Sequence, residues 1–288
     1  MLGILRFVLA AFVVVAHLTE GVRFFSHWGV FAVFGFYLVS GYLITLILNE
    51  TYSFQFSSFA ANRFLRLFPI YYVVAIGSAL FIFFAPNPGA FHPAWETYRK
   101  LDVVGNGLIF PFEFYNESFR FVPPIWSVAV ELVNYFLLWL FIARSRTLAV
   151  LTLLVALGYH ALTFTADMHW ISRYAPFYAA LLPFALGACI YFARHRLAAW
   201  PASTVQRLAV ASFLIWAVNL IGGGLEAGID GKHFSYFFYV NLVSLYVFVS
   251  CIATAPFRSV FSKRCSAGSL RREARVLRTS SSGRSFPA

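Results

Sequence analysis

Charged residues are scarce in this 288-residue chain. Asp, Glu, Lys and Arg make up 11% of it, against about 25% in an ordinary soluble domain. Hydrophobic residues make up 60%. So few charges cannot cover that much apolar surface in water, which excludes a soluble globular protein and makes lipid the solvent for most of the chain.

Cysteine is also rare, and the usual spacings of metal ligands and nucleophiles are missing. Cys189, Cys251 and Cys265 lie far apart without a C-x-x-C pair, so we expect neither a disulfide framework nor a metal site. No histidine pair with a carboxylate has zinc-ligand spacing, and no G-x-S-x-G occurs. We therefore expect no metal and no bound cofactor.

Aromatic residues and long apolar runs are abundant instead. The chain has 35 Phe, 15 Tyr and 7 Trp, a composition that suits lipid-facing surfaces and interfacial belts. We predict an all-α fold, a polytopic transmembrane bundle of about eight helices. The predicted spans are 2–20, 28–48, 69–86, 124–143, 148–166, 174–193, 205–221 and 234–256. A long loop, 87–123, connects the third span to the fourth.

The placement of the basic residues predicts the orientation in the membrane. With the N-terminus inside, the short inner loops hold seven Lys or Arg residues and the longer outer loops six. The C-terminal tail adds eight more on the inner side. The positive-inside rule therefore places both termini in the cytoplasm, which predicts a multi-pass protein of the cell (inner) membrane. We read the net charge of +11 as attraction to anionic membrane lipids rather than to nucleic acid.

The chain divides into a membrane domain, 1–256, and a basic tail, 257–288. The tail is rich in Arg and Ser and has almost no apolar periodicity, which predicts disorder. Two interpretations of it stay open. It is a natural solvated tail, or it is the truncated or frameshifted end of a longer membrane domain.

Charged residues inside the first apolar run need an explanation, since each costs roughly 2.5–3.5 kcal/mol at the centre of a spanning helix. Arg6 and His17 are eleven residues apart. They therefore share one helix face, about 16 Å apart along the axis. One interpretation is that both side chains extend to the two interfaces. The other is that they belong to a functional site.

The second run and the inner loop before the third run carry further polar residues with two interpretations each. Tyr37, Ser40 and Gly41 recur at three- and four-residue spacing in the second run, which favours close helix packing or a supporting role in a site. Arg63 and Arg66 lie about one turn apart where an inner loop meets the membrane. They are stop-transfer charges or a pair of guanidinium groups suited to phosphate.

The fourth run contains the most informative residue, Glu131. Its carboxylate lies inside the membrane with no long stem to reach water, so it must face a partner or a cavity. Ser127, Glu131, Asn134 and Tyr135 share its helix face. The predicted topology places Glu131 and His17 in the same outer half of the bilayer. We therefore expect a His–carboxylate pair, in which Glu131 orients the imidazole and raises its basicity.

These segments together resemble the acyltransferase-3 family of membrane O-acyltransferases. The resemblance lies in four strings that occur in the family's order over residues 1 to about 140. They are L-R-F-V-L-A-A-F-V-V-V-A-H (Leu5 to His17), G-V-F-A-V-F-G-F-Y-L-V-S-G-Y-L-I-T (Gly29 to Thr45), R-F-L-R-L-F-P-I-Y (Arg63 to Tyr71) and W-S-V-A-V-E (Trp126 to Glu131).

The resemblance implies transfer of an acyl group, expected to be acetyl, from acyl-CoA to a hydroxyl of a saccharide or a lipid-linked glycan. It makes His17 the catalytic residue and Glu131 its support. Arg6, Arg63 and Arg66 would bind the acyl-CoA. The alternative is a proton-coupled transporter or flippase that uses the same residues.

Overall fold

The computed structural model describes residues 2–19, 22–96, 99–115, 119–225 and 236–254. This part of the chain contains α-helices and short 3-10 helices and no strand. The α-helices are α1 Leu2–Leu18, α2 Arg23–Glu50, α3 Phe56–Phe84, α4 Lys100–Leu108, α5 Trp126–Leu140, α6 Arg146–Thr165, α7 Phe177–Ala198, α8 Ala202–Leu225 and α9 Tyr236–Thr254. The predicted tail, 257–288, lies outside the described residues.

Seven of these helices are long and apolar enough to cross a membrane, where α5 is counted together with the preceding 3-10 turn as Pro123–Leu140. An eighth, α1, is apolar but has only 17 residues, about 26 Å of helix against a hydrocarbon core of about 30 Å. The prediction of an all-α transmembrane bundle is confirmed.

The third span begins earlier than predicted. We expected it at residue 69, but α3 begins at Phe56 and continues through Pro69. The polar residues Asn62, Arg63 and Arg66 interrupt the apolar run, although they do not interrupt the helix. Both arginines therefore lie inside a helix, two to three turns from its start. The predicted loop 87–123 is also partly helical, since it contains α4 and several 3-10 turns.

Helix α2 forms the centre of the bundle and contacts α1, α5, α7 and α8. It crosses α7 most closely where a glycine of each helix meets the other helix's backbone. A Cβ on Gly41 would clash with the carbonyl oxygen of Phe184, and a Cβ on Gly187 would clash with that of Leu38. Small residues at such crossings let helices approach within a membrane, where no hydrophobic effect drives them together.

One end of the bundle is joined by an ion pair between the ends of α2 and α7. Arg194 Nη2 lies 2.6 Å from Glu50 Oε1, and the guanidinium carbon lies 3.8 Å from the ring centroid of Tyr191. The start of α5, the end of α6 and the start of α7 lie at the opposite end of the bundle, because consecutive spans alternate in direction.

Candidate active site

A small polar cavity lies between α1, α2, α3 and α5. Its volume is about 180 Å³. Each helix contributes polar side chains: Arg6 from α1, Ser40 from α2, Arg63 and Arg66 from α3, and Glu131 and Tyr135 from α5. The rest of the wall is aliphatic.

Two hydroxyl groups hold the Glu131 carboxylate. Ser40 Oγ donates to Oε1 at 3.2 Å, and the Tyr135 hydroxyl donates to Oε2 at 3.0 Å. The two hydroxyl oxygens are themselves 3.3 Å apart. Because Tyr135 follows Glu131 by four residues, it lies one turn further along the same face of α5. The carboxylate is therefore fixed in position by one partner on α2 and one on its own helix.

The cavity carries a surplus of positive charge. Three guanidinium groups face one carboxylate, which leaves two positive charges among the residues that line it. Arg6 and Arg66 are close enough to Glu131 to interact with it electrostatically. Such a surplus favours the binding of an anion.

Arg63 has a donor without an acceptor. Its Nε is buried and has no hydrogen-bond partner among the described residues. Its Nη2 is 3.5 Å from the Asn62 amide oxygen, and the guanidinium lies 5.8 Å from the centre of the Phe59 ring. A buried donor left unsatisfied costs about 1–3 kcal/mol, so this geometry favours a ligand that supplies an oxygen acceptor.

His17 does not line this cavity. It lies in the last turn of α1, is exposed, and has no hydrogen-bond partner among the described residues. Helices α1 and α2 are antiparallel, with Ala16 against Gly29 and Leu9 against Gly35. His17 therefore lies level with the first turns of α2, whereas Glu131 lies level with Ser40, about 16 Å further along that helix.

The structure thus brings five of the predicted residues together and leaves His17 apart. Arg6, Ser40, Arg63, Arg66 and Glu131 share one cavity. The expected pairing of His17 with Glu131 is not formed in this structure, because Glu131 lies beside the arginines and the two hydroxyls.

The two remaining predicted residues connect helices. The Tyr37 hydroxyl donates to the Ser127 carbonyl oxygen at 3.1 Å and so joins α2 to α5. The Ser127 hydroxyl donates to the Pro124 carbonyl oxygen at 3.0 Å, in the 3-10 turn that precedes α5. Asn134, predicted on the Glu131 face, donates instead to the Phe177 carbonyl oxygen of α7.

Sequence reasoning did not select Tyr135 as a site residue. Tyr135 and Asn134 follow Glu131 by four and three residues, so both lie on its face of the helix and the sequence does not distinguish them. In the structure, Asn134 contacts α7 instead. Only the positions of the neighbouring helices separate the two.

Comparison with protein families gives a match over nearly the whole chain. A family model described as an acyltransferase domain, acyltransferase-3, matches residues 2–270. No curated protein and no solved structure matches the chain. Since the family match covers nearly the whole sequence, the chain belongs to the acyltransferase-3 family of membrane acyltransferases.

Proposed function

We propose that the protein is an O-acyltransferase that moves an acyl group, with acetyl as the expected group, from acyl-CoA to a hydroxyl of a cell-envelope saccharide or lipid-linked glycan. The observation that supports this most directly is the polar cavity with its three arginines and its unpartnered Arg63 Nε. Acyl-CoA is the substrate that such a cavity suits, because its phosphates are anions joined to a reactive thioester by a long arm.

The cavity is large enough for one phosphate group, which has five non-hydrogen atoms. An apolar cavity of about 150 Å³ holds benzene, so about 180 Å³ holds roughly seven non-hydrogen atoms. Arginine is the residue best suited to phosphate, since its planar guanidinium donates two parallel hydrogen bonds. Arg63 and Arg66 would hold the phosphate, with Arg6 at the beginning of the path along α1.

His17 is the proposed general base. Arg6 and His17 share one face of α1 and are about 16 Å apart, a span comparable to the extended pantetheine arm of CoA. The acceptor oxygen attacks the thioester carbonyl while His17 takes the hydroxyl proton. A C–O bond forms and the C–S bond breaks, and the imidazolium returns the proton to the CoA thiolate. A less favoured variant transfers the acyl group first to His17.

The position of Glu131 supports a different role from the one expected. We infer that its carboxylate organises the donor site by reducing repulsion among the arginines when no donor is bound. Direct support of His17 would require the two side chains to approach by about 16 Å along α2.

We also propose that the protein lies in the inner membrane with both termini in the cytoplasm. The start of α1 and the Glu50–Arg194 pair would then face the cytoplasm. Acyl-CoA would reach the arginines from that side, and the acceptor would approach from the outer side.

The test uses purified protein in nanodiscs with acetyl-CoA and with longer acyl-CoA esters. We expect release of the CoA thiol, slow with water as the acceptor and faster when cell-envelope glycans are added, and acyl esters on the glycans by mass spectrometry. Absence of both thiol release and CoA binding would contradict the proposal. Proton or solute flux in proteoliposomes under the same conditions would favour the transporter.

A further inference from the structure

A second, larger cavity opens at the end of the bundle where α5 and α7 begin. Its volume is about 750 Å³, and we call it the aromatic vestibule. Rings of Phe114, Trp126, Trp170, Tyr174 and Tyr178 line it. Two charged side chains of opposite sign, Glu113 and Arg120, also line it.

The rings face in different directions and so present several apolar surfaces to one volume. Trp126 and Tyr174 meet edge to face with centroids 5.1 Å apart. Trp170 is tilted by 39° against Tyr174 at 5.6 Å. Phe114 and Tyr178 remain 64% and 44% exposed, so a ligand can reach part of each side chain.

The acidic residue of the vestibule is held in place by the backbone. Glu113 Oε2 accepts a hydrogen bond of 3.0 Å from the Phe177 amide at the start of α7. Negative charge is favourable at a helix N-terminus, which helps to fix this carboxylate. The vestibule thus combines aromatic faces with a positioned carboxylate, a guanidinium and tyrosine hydroxyls.

The buried side chain of Tyr37 lies near residues of both cavities. It is close enough to interact electrostatically with Glu113 and Tyr174 of the vestibule and with Glu131 and Tyr135 of the polar cavity. Its hydroxyl is bonded to the Ser127 carbonyl, one residue after Trp126.

Along α2, the vestibule lies at a depth between the two ends of the proposed reaction path. Tyr174 stacks on Phe34 with centroids 5.7 Å apart. Phe34 is five residues from Gly29, the level of His17, and six residues from Ser40, the level of Glu131. These separations correspond to about 8 and 9 Å of helix.

We propose that the aromatic vestibule is the acceptor subsite and that it binds a short uncharged glycan segment. Sugar rings have apolar C–H faces and hydroxyl edges, which matches a lining of aromatic faces with a few fixed polar groups. A lipid chain would gain nothing from Glu113 and Arg120, and a strongly charged ligand would meet one charge of its own sign. On the scale of benzene in about 150 Å³, about 750 Å³ holds roughly 30 non-hydrogen atoms, the size of a disaccharide or trisaccharide.

Naming this site an acceptor subsite rests on the proposed function, whereas glycan binding can be measured without any turnover. The probes are tetrasaccharides of glucose, N-acetylglucosamine, galactose and rhamnose, added to the full-length protein in nanodiscs. At least one should change the tryptophan fluorescence, since Trp126 and Trp170 line the vestibule. Trp170→Phe should reduce the change while keeping an aromatic face.

The variants Phe114→Ala and Tyr178→Ala should weaken binding of that tetrasaccharide by about two- to tenfold each, the effect of losing one aromatic contact. They should raise the KM for the glycan to a similar extent. The matched control is Phe83→Ala, which removes an 81% exposed ring of α3 that does not line the vestibule. It should change neither quantity.

The outcomes separate the two proposals. If acyl-CoA is turned over but no tetrasaccharide binds and the glycan KM is unchanged in Phe114→Ala, the vestibule proposal is wrong and the enzyme proposal stands. If acyl-CoA is not turned over but Phe114→Ala still weakens tetrasaccharide binding, the glycan site stands and the proposed reaction does not. Equal effects from Phe83→Ala would overturn the vestibule as the binding site.

Discussion

Replacement of Arg63 by alanine should weaken donor binding without weakening the fold. Arg63 lines the polar cavity, and its buried Nε has no partner among the described residues. In the absence of a ligand, the side chain therefore carries the cost of an unsatisfied donor, about 1–3 kcal/mol. It also adds repulsion to a cavity that already contains Arg6 and Arg66.

The gain from removing these two costs is partly offset by lost contacts. The guanidinium carbon lies 5.8 Å from the centroid of the Phe59 ring. Such a cation–π interaction contributes about 0.5–1 kcal/mol at an exposed site. The melting temperature of ligand-free Arg63→Ala should consequently be equal to that of the wild type or higher.

Donor binding should change in the opposite direction. A hydrogen bond to a charged group contributes about 1.5–3 kcal/mol, so the loss of Arg63 should raise the Kd for CoA roughly 10- to 100-fold. Arg63→Lys should restore only part of the affinity, because an ammonium group cannot make the bidentate contact. Raising the salt concentration should reduce the difference in the Kd for CoA between wild type and Arg63→Ala, because salt screens charges that are open to solvent.

The assay is calorimetric titration of CoA into protein in nanodiscs, paired with thermal unfolding of the same samples. Arg207→Ala is the control, since Arg207 is an exposed arginine of α8 that does not line the polar cavity. A wild-type Kd in Arg63→Ala, or a loss no larger than in Arg207→Ala, would refute the assignment of the cavity to the donor. A large fall in melting temperature would show that Arg63 is a structural residue.

Three further predictions concern other parts of the bundle. His17→Ala should reduce acyl transfer by about 10²–10⁴-fold with normal membrane insertion. The control His195→Ala, at an exposed residue in the last turn of α7, should not reduce it. Near-normal turnover in His17→Ala would remove His17 from the mechanism. Glu131→Gln should lower the melting temperature of the ligand-free protein because three arginines then lack a counter-charge, and CoA should restore part of the loss. Tyr135→Phe should lower the melting temperature by less. Equal decreases in the two variants would contradict the role given to the carboxylate. In thermal unfolding, Gly41→Ala and Gly187→Ala should each destabilise the protein by about 1–3 kcal/mol, because the added Cβ would clash with the backbone of the crossing helix. The control Gly158→Ala, where the Cβ meets nothing within 4 Å, should be neutral or slightly stabilising.

The boundary of α3 illustrates what an apolar-run analysis misses. Arg63 and Arg66 interrupt the hydrophobic sequence, so the predicted span began at residue 69, whereas the helix begins at Phe56. Backbone hydrogen bonding in a membrane favours continuing a helix through polar residues, provided that their side chains reach a cavity. The cavity that permits this is formed by α1, α2 and α5, and a count along α3 alone contains no information about it.

The hydrogen-bond partners of Glu131 likewise follow only from the tertiary structure. Its position inside an apolar span predicted that it must face a partner, and this followed from the low polarity of the membrane. The sequence analysis named His17 as that partner, and helix periodicity placed Ser127, Asn134 and Tyr135 on the same face as Glu131. The relative rotation of α5 and α2 directs Tyr135 and Ser40 to the carboxylate and Asn134 to α7.

The sequence by itself determined that this is an α-helical membrane protein, since composition and apolar run length follow directly from the solvent that a chain must match. It also identified Arg6 and Glu131, because each charge in an apolar span needs a compensating interaction, and Arg63 and Arg66 as a guanidinium pair suited to phosphate. Only the tertiary structure decided that these four residues share one cavity while His17 lies about 16 Å away along α2. The reason is that contacts between helices depend on their rotation and depth relative to one another, which the α2–α7 glycine crossing and the hydrogen bonds between helices set together.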